Sequence, residues 1–189
     1  MDIIKVIAHR YNVCLSNNSI EALTSIVEKR VYPKDEIIIG EGTISRYLYL
    51  IERGIIRQFY YKNGRDITEH FSHEGDIATC IESLFLNEPT QLAVEAIEDS
   101  VIYLLDYKKF KTLCNSNPDI NELYQHIVEY KLIISQRKAD SWRFENAHER
   151  YDRFCQAYPT ISKRVSIAHI ASYLLMTPET LSRVRAGVL

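Results

Sequence analysis

Apolar positions along the 189 residues fall into three regimes. In residues 1–30 they recur three and four apart. Glu21, Ala22, Leu23, Ile26 and Val27 fit one helix with Ser19 near its cap, so this stretch reads as helical. From Val31-Tyr32-Pro33 to about Asp106 the spacing shortens. Apolar runs at Glu36–Ile39, Tyr47–Ile51, Ile55–Tyr61, Ile67–Phe71, Leu92–Ile97 and Val101–Leu105 alternate with Gly40-Glu41-Gly42, Arg53-Gly54, Asn63-Gly64 and Glu74-Gly75-Asp76. Strands at this interval with glycine turns predict an antiparallel sandwich or barrel, and Asn63-Gly64 suits a type I′ hairpin turn. From Tyr107 helical spacing returns. It predicts a short helix Tyr107–Cys114, then one long helix Asp119–Asn146 entered at Pro118. Ile120, Leu123, Ile127, Ile134, Ser141 and Phe144, joined by Tyr124, Tyr130 and Lys131, make its stripe. Such a helix is about 40 Å long. A domain this small cannot bury it, so the stripe is expected to meet a partner; the alternative is a helix lying along its own sheet.

The last third of the pattern is tighter. Ala147–Tyr158 is amphipathic, with Tyr151, Phe154, Cys155 and Tyr158 inward and Glu149–Arg153 as an i, i+4 pair; Pro159 ends it. Ile167, Ile170, Ala171 and Leu174 then fall on one face of a short helix that Ser166 can cap. Leu175 and Met176 break the pattern. Thr177-Pro178-Glu179 opens a second helix: an N-cap residue, a proline suited to the first position, and an acid that complements the dipole. Leu181, Val184 and Val188 form its inward stripe, while Glu179, Ser182, Arg183 and Ala186 point away. Two short helices joined by a tight turn, the second offering Arg and Glu outward, predict a helix-turn-helix that reads double-stranded DNA. The alternative is a small helical hairpin that packs against something else. Arg183 and Glu179, four apart, are placed for guanine and cytosine edges, and Arg185 for phosphate. The chain stops at Leu189, so no winged hairpin is expected after the second helix.

Composition supports this division. Hydrophobic content of 46% and charged content of 25% are those of a globular protein. Neither an apolar run of membrane length nor a secretory leader is found, so no membrane partner and a cytoplasmic setting are expected. Cys14, Cys80, Cys114 and Cys155 are dispersed, which suits a reducing compartment and offers no metal-ligand cluster. Net charge is −2, which by itself disfavours a DNA binder. From Ala147 onward, however, Arg150, Arg153, Lys163, Arg164, Arg183 and Arg185 outnumber Glu149, Asp152 and Glu179, leaving the acidic excess to residues 1–146. That asymmetry directs one end toward phosphate.

The tail segment Ile170-Ala171-Ser172-Tyr173-Leu174, followed by Pro178-Glu179-Thr180-Leu181-Ser182-Arg183, resembles the DNA-reading end of the Crp/Fnr transcription regulators. Leu175 stands where that family usually has Gly. The order of Tyr32-Pro33-Lys34, Gly40-Glu41-Gly42, Tyr47-Leu48-Tyr49-Leu50-Ile51, Gly54, Asn63-Gly64-Arg65 and Gly75-Asp76 is similar to the family's cyclic-nucleotide-binding β-roll. The resemblance implies an α+β chain: an antiparallel β-roll sensor domain with flanking helices at 1–118, a dimerisation helix at 119–146 and a helix-turn-helix domain at 147–189. It implies a homodimer through 119–146, DNA contacts from Thr177, Pro178, Glu179, Thr180, Ser182, Arg183 and Arg185, and RNA polymerase as a further partner. A non-DNA β-roll binding module with a degenerate tail is the rival reading.

An enzyme is not expected. His9, His70, His73, His126, His148 and His169 lack metal spacing, and no nucleophile elbow or phosphate-cradling loop is found. His70 and His73 read as solvated or capping residues. By the resemblance, an effector would sit near Tyr61, Phe71, Ile77, Thr79, Cys80, Glu82, Ser83, Thr90 and Gln91. Similar cyclic-nucleotide receptors present Gly-Glu for the ribose and Arg for the cyclic phosphate. Here Glu82 is shifted and lacks the Gly, Thr90 or Gln91 falls at the Arg position, and no cation lies between Arg65 and Lys108. Family members with an iron–sulfur cluster carry clustered N-terminal cysteines, and only Cys14 lies in that region. No cofactor or metal is therefore expected, and a cyclic nucleotide is not expected as the effector.

Overall fold

The computed structural model describes residues 2–62 and 64–188. Two helices, α1 (Ile3–Arg10) and α2 (Asn17–Thr24), precede eight strands. Asp2 and Ser16 cap them by accepting the N–H of Ile4 and of Ser19. The helical stretch ends sooner than its sequence pattern predicts, because Val27–Tyr32 is strand β1. Glu28, Lys29, Arg30 and Val31 are exposed on both faces, so the strand lacks a clean alternation, and pairing with a later strand decides its state.

The other strands are β2 (Ile37–Ile39), β3 (Tyr47–Arg53), β4 (Ile56–Lys62), β5 (Arg65–Ser72), β6 (Ile77–Ala78), β7 (Ala93–Ala96) and β8 (Ser100–Asp106). They form two four-stranded antiparallel sheets, ordered β1-β8-β3-β6 and β2-β7-β4-β5. Ile51, Ile56, Ala96 and Ile102 are wholly buried in the core that includes residues of both sheets. Gly54 is required at its corner: φ is +99°, and a Cβ would lie 2.8 Å from Ser100 Cα. The β4–β5 hairpin closes at Lys62↔Arg65, with Gly64 at φ +72°. Asn63, half of the expected turn, lies outside the described residues.

Helix α3 (Ile81–Leu86) interrupts the strands, and α4 (Tyr107–Ser116) and α5 (Pro118–Phe144) follow them. Helix α5 stops at Phe144 rather than Asn146, because Asn146 caps the next helix. Its side chain accepts the N–H groups of His148 and Glu149, and Glu149 reaches back to the Asn146 N–H. Glu149 is thereby committed to the cap, and Arg153 pairs with Glu145 instead of Glu149.

The stripe expected to meet a partner turns inward over its first half. Ile120, Leu123 and Ile127 join Ile4, Ile7, Leu23, Leu50 and Phe110 in the chain's own core. The face left open is another one: Val128, Leu132 and Ser135 are exposed, with Ala139 and Trp142 half-buried in line with them. Phe144, assigned to the stripe, is 80% exposed.

The tail comprises α6 (Ala147–Ala157), α7 (Ile161–Arg164), α8 (Ile167–Tyr173) and α9 (Pro178–Arg185). It does not stand apart from the sheets. Phe154, Ile161, Val165, Ile170, Ala171, Leu174 and Leu181 share a core with Ile55, Phe71 and Ile97. Two residues read as inward are not: Ile167 is exposed, and Val188, past the end of α9, is 74% exposed. Among the described residues, no helix is long and apolar enough to cross a membrane.

Candidate functional sites

The α8–α9 unit begins with capping. Ser166 Oγ accepts the His169 N–H, and Thr177 Oγ1 accepts the Thr180 N–H, so each helix start is fixed by its own side chain. The turn between them needs one left-handed residue, and Leu175 supplies it at φ 53°. Leu181 and Val184 anchor α9 inward. Thr177, Pro178, Glu179, Ser182, Arg183 and Arg185 are exposed, and Thr180 is half-buried. The Thr177 and Thr180 hydroxyls lie 3.2 Å apart, so both are occupied locally. The outer face therefore offers Glu179, Ser182, Arg183 and Arg185 for polar contact.

Helix α8 is held by the open edge of the second sheet. The Thr68 N–H donates to Ser172 Oγ (2.8 Å), and the Ser172 hydroxyl donates to the Asp66 carbonyl (2.9 Å). One side chain thus satisfies two ladder groups of edge strand β5. Phe71 and Phe154 stack on Tyr173 at 5.4 and 5.5 Å between centroids. Arg164 binds Glu74 and Glu98 across the same boundary. Burial alone would raise the Glu74 carboxyl, but Arg164 and the Gly54 N–H outweigh it and hold Glu74 down to about 2. Lys138, buried on α5, pairs with Glu69 of β5 at 2.8 Å and lies over the rings of Trp142 and Tyr173. Ser172 and Lys138 carried no signal in the sequence; long-range pairing alone gives them their role.

A cavity of about 650 Å³ opens between the second sheet, α3 and α5. Of the expected effector residues, Tyr61, Thr79, Cys80, Glu82, Ser83, Thr90 and Gln91 line it. Two of the hydroxyls are engaged within the fold: Ser83 accepts the Ser45 N–H at 2.8 Å, and Thr90 accepts the Leu92 N–H at 3.0 Å. Two expected residues do not line it. Ile77 sits in the core beneath β3, because its register opposite Leu50 turns it inward. Phe71 belongs to the aromatic boundary with the tail. Glu41, Glu69 and Glu82 line the cavity with a single cation, Lys62. Of the outside cations that could supply a counter-charge, Arg57 is buried and held by Asp66 and Glu95, and Arg46 is exposed and does not line the cavity.

A narrower chamber of about 90 Å³ adjoins it, sharing Gln58, His70, Thr79, Ile81 and Ser135. Its further walls are Phe71, an expected effector residue, with Ser72 and Asp76 after it, Arg10 of α1, Tyr130, Lys131 and Ile134 of α5, and Tyr158 at the end of α6. Arg10 pairs with Asp76. The Lys131 ammonium donates to the Ile77 carbonyl, and burial pushes it down to about 8. His70 is about one-third exposed, with its Nε2 3.7 Å from a Glu69 carboxylate oxygen. Burial first, then the Lys138 and Lys131 charges, lower its pKa. His73 is partly buried too, with its ring at 3.1 Å from the Glu74 carbonyl. Among the described residues, no three His, Cys, Asp or Glu side chains come together as a metal site.

Residues 29–117 match the family model for the cyclic nucleotide-binding domain. No curated protein sequence matches the chain. Among solved structures, FixK2 from Bradyrhizobium japonicum superposes with TM-score 0.74 at 23% identity, covering 86% of this chain and 84% of that one. The catabolite activator protein of Thermus thermophilus gives 0.60 at 20% identity, covering 97% and 86%. A transcriptional regulator of the Crp/Fnr family from Eubacterium rectale gives 0.69 at 13% identity, covering 92% and 83%. The two sheets, the long helix and the helical tail thus share the fold of these structures, one of them a Crp/Fnr-family regulator, and the sheet region is the part that matches the cyclic nucleotide-binding domain model.

Proposed function

We propose that this protein is a sequence-specific DNA-binding transcription regulator. The sensor would be residues 1–118, the connecting helix 119–146 and the DNA-reading domain 147–189. The observation that carries the proposal is the α8–α9 unit: two capped short helices, a left-handed turn residue between them, and an exposed face bearing Glu179, Ser182, Arg183 and Arg185. An α-helix offering Arg and Glu four residues apart fits the major groove, where Arg reads guanine and Glu accepts from cytosine. RNA polymerase is the further partner such a regulator would meet on DNA.

The protein acts as a homodimer through α5. The exposed Val128, Leu132 and Ser135 with Ala139 and Trp142 repeat at four and three residues, the spacing of a coiled-coil seam. An apolar groove between α3 and α5, lined by Leu84, Phe85, Val128 and Leu132, continues that seam. A two-fold dimer would place two reading helices on half-sites about 34 Å apart. Sedimentation as a monomer at micromolar concentration, with and without DNA, would overturn this.

The test of the DNA reading is affinity for genomic fragments as a function of salt, followed by selection from a random pool. Binding should weaken steeply as salt rises and should enrich an inverted repeat. Absence of binding at low salt would favour a β-roll binding module whose tail only packs. The effector of the large cavity would not be a cyclic nucleotide: by the resemblance Thr90 or Gln91 falls at the phosphate Arg position, and Glu41 and Glu82 outnumber Lys62 in the space they line.

A further inference from the structure

We propose that the effector cavity takes a small organic acid with a single negative charge, seated on Lys131 in the inner chamber with its neutral body in the larger space. This rests on the reading of the cavity as an effector site and names its ligand class.

Four observations carry it. First, Lys131 forms no direct ion pair among the described residues; the carboxylate whose charge reaches it, Asp76, is shared with Arg10. Its ammonium donates to the Ile77 carbonyl, and no carboxylate among the described residues forms an ion pair with it. The nearby Asp76 is already engaged by Arg10 and accepts the His73 N–H. Arg10 and Asp76 cancel, which leaves the chamber with one net positive charge. A desolvated ammonium bonded to one carbonyl keeps N–H capacity for an anion. Burial also destabilises its charged form, and an anion would reverse that effect.

Second, the other walls suit a carboxylate head rather than oppose it. Gln58, Ser72, Ser135, Tyr130 and Tyr158 bring donors. Gln58 is partly committed, since its amide donates to the Thr79 carbonyl at 2.9 Å. Third, the chamber holds a head group and little more, and it opens into the 650 Å³ space through Gln58, His70, Thr79, Ile81 and Ser135. There Glu41 and Glu82 outnumber the one cation, Lys62, and oppose a second negative charge. The class is therefore a monoanion, not a dicarboxylate and not a phosphate dianion.

Fourth, the chamber is where the chain's parts meet. Arg10 belongs to α1, Lys131 to the long helix, and Tyr158 to the tail, where it lies 6.2 Å from Tyr173. Tyr173 in turn stacks on Phe71 beside the Ser172 attachment. An acid bound at Lys131 thus touches the groups that seat the tail.

The experiment is calorimetric titration of the full chain with butyrate, hexanoate and benzoate, each against its own primary amide, and with glutarate. At least one monoacid should bind at least tenfold more tightly than its amide, and glutarate more weakly than that monoacid. In Lys131→Gln the acid-to-amide ratio should fall to about one, and in Lys131→Arg it should survive. In the unaltered chain labelled with ¹⁵Nζ-lysine, the Lys131 resonance should move with the acid and not with the amide, a reading that needs no variant to fold. Acids and amides binding alike, a ratio that survives Lys131→Gln, tighter glutarate, or no acid binding at all would each overturn the proposal. DNA affinity of the ligand-free protein is measured separately, so failure here leaves the DNA reading standing, and the reverse holds too.

Discussion

Replacing Leu175 by glycine should stabilise the tail. Leu175 sits at φ 53° between α8 and α9, a conformation that crowds Cβ against the following carbonyl oxygen. The cost for an L-residue is roughly 1–2 kcal/mol. A well-packed side chain would offset it, but Leu175 is 47% exposed and belongs to none of the apolar clusters. Glycine removes the strain and adds unfolded-chain freedom, which costs about 0.4–1 kcal/mol. The expected net gain is about 0.5–1 kcal/mol. For a chain of this length that is about 1–4 °C in Tm. Calorimetric melts of the two proteins measure it, and hydrogen exchange at the Leu175 and Met176 amides localises it. These amides donate to Ser172 O and Ala171 O, so they report the turn directly. A loss of stability beyond about 0.5 kcal/mol would refute the reasoning. It would mean that the half-exposed side chain contributes more packing than the turn geometry costs.

Other outcomes follow from the same contacts. Arg183→Ala should weaken binding to the selected site by roughly 1–3 kcal/mol and relax one base position; equal losses on random DNA would reassign Arg183 to phosphate. Cyclic AMP and cyclic GMP should give no calorimetric signal at micromolar concentration, and binding of either would show that an anion is accepted without a cation at Thr90 or Gln91. Ser172→Ala should cost about 1–3 kcal/mol, since it strands the Thr68 N–H at the sheet edge, and should speed hydrogen exchange along β5; unchanged exchange would mean that water replaces the hydroxyl. Glu74 has a folded value held down to about 2, so its contribution is complete above the ordinary carboxylate range. It is lost as pH falls from about 4.5 toward 2. Tail contacts followed by tyrosine fluorescence should loosen in that window, and Arg164→Ala should flatten the dependence.

The legible parts of this chain were those whose signal is local. Asp119 and Pro118 open a helix, Thr177-Pro178 opens another, and Gly54 marks a corner, because capping, ring geometry and positive φ act within a few residues. The order of the strands followed from turns, and seven of the nine expected cavity residues line one space because they cluster on α3 and its flanks. The errors came where a second element decides the outcome. Val27–Arg30 reads as helix until β8 pairs with it, and Ile77 faces the core only because its register opposite Leu50 fixes its side. The long helix carries two apolar faces rather than one. Ile120, Leu123 and Ile127 are stronger hydrophobes than Ser135 or Ala139, so the sequence draws attention to the face that packs at home.

The cavity's charge shows the same limit. Between Arg65 and Lys108 the chain holds no cation, and that local tally argues against any anion. The fold adds Arg10 from one end of the chain and Lys131 from another, through α1 and α5 packing on the same core. Tally by segment fails because a field is summed over space, and two helices far apart in sequence supply what the β-roll lacks. Neither helix brings a cation to the larger space that Thr90 and Gln91 line, where Lys62 of β4 stands against Glu41 and Glu82. An acid and a cyclic nucleotide are therefore separated by where the charge must sit in the cavity, not by whether a charge is tolerated at all.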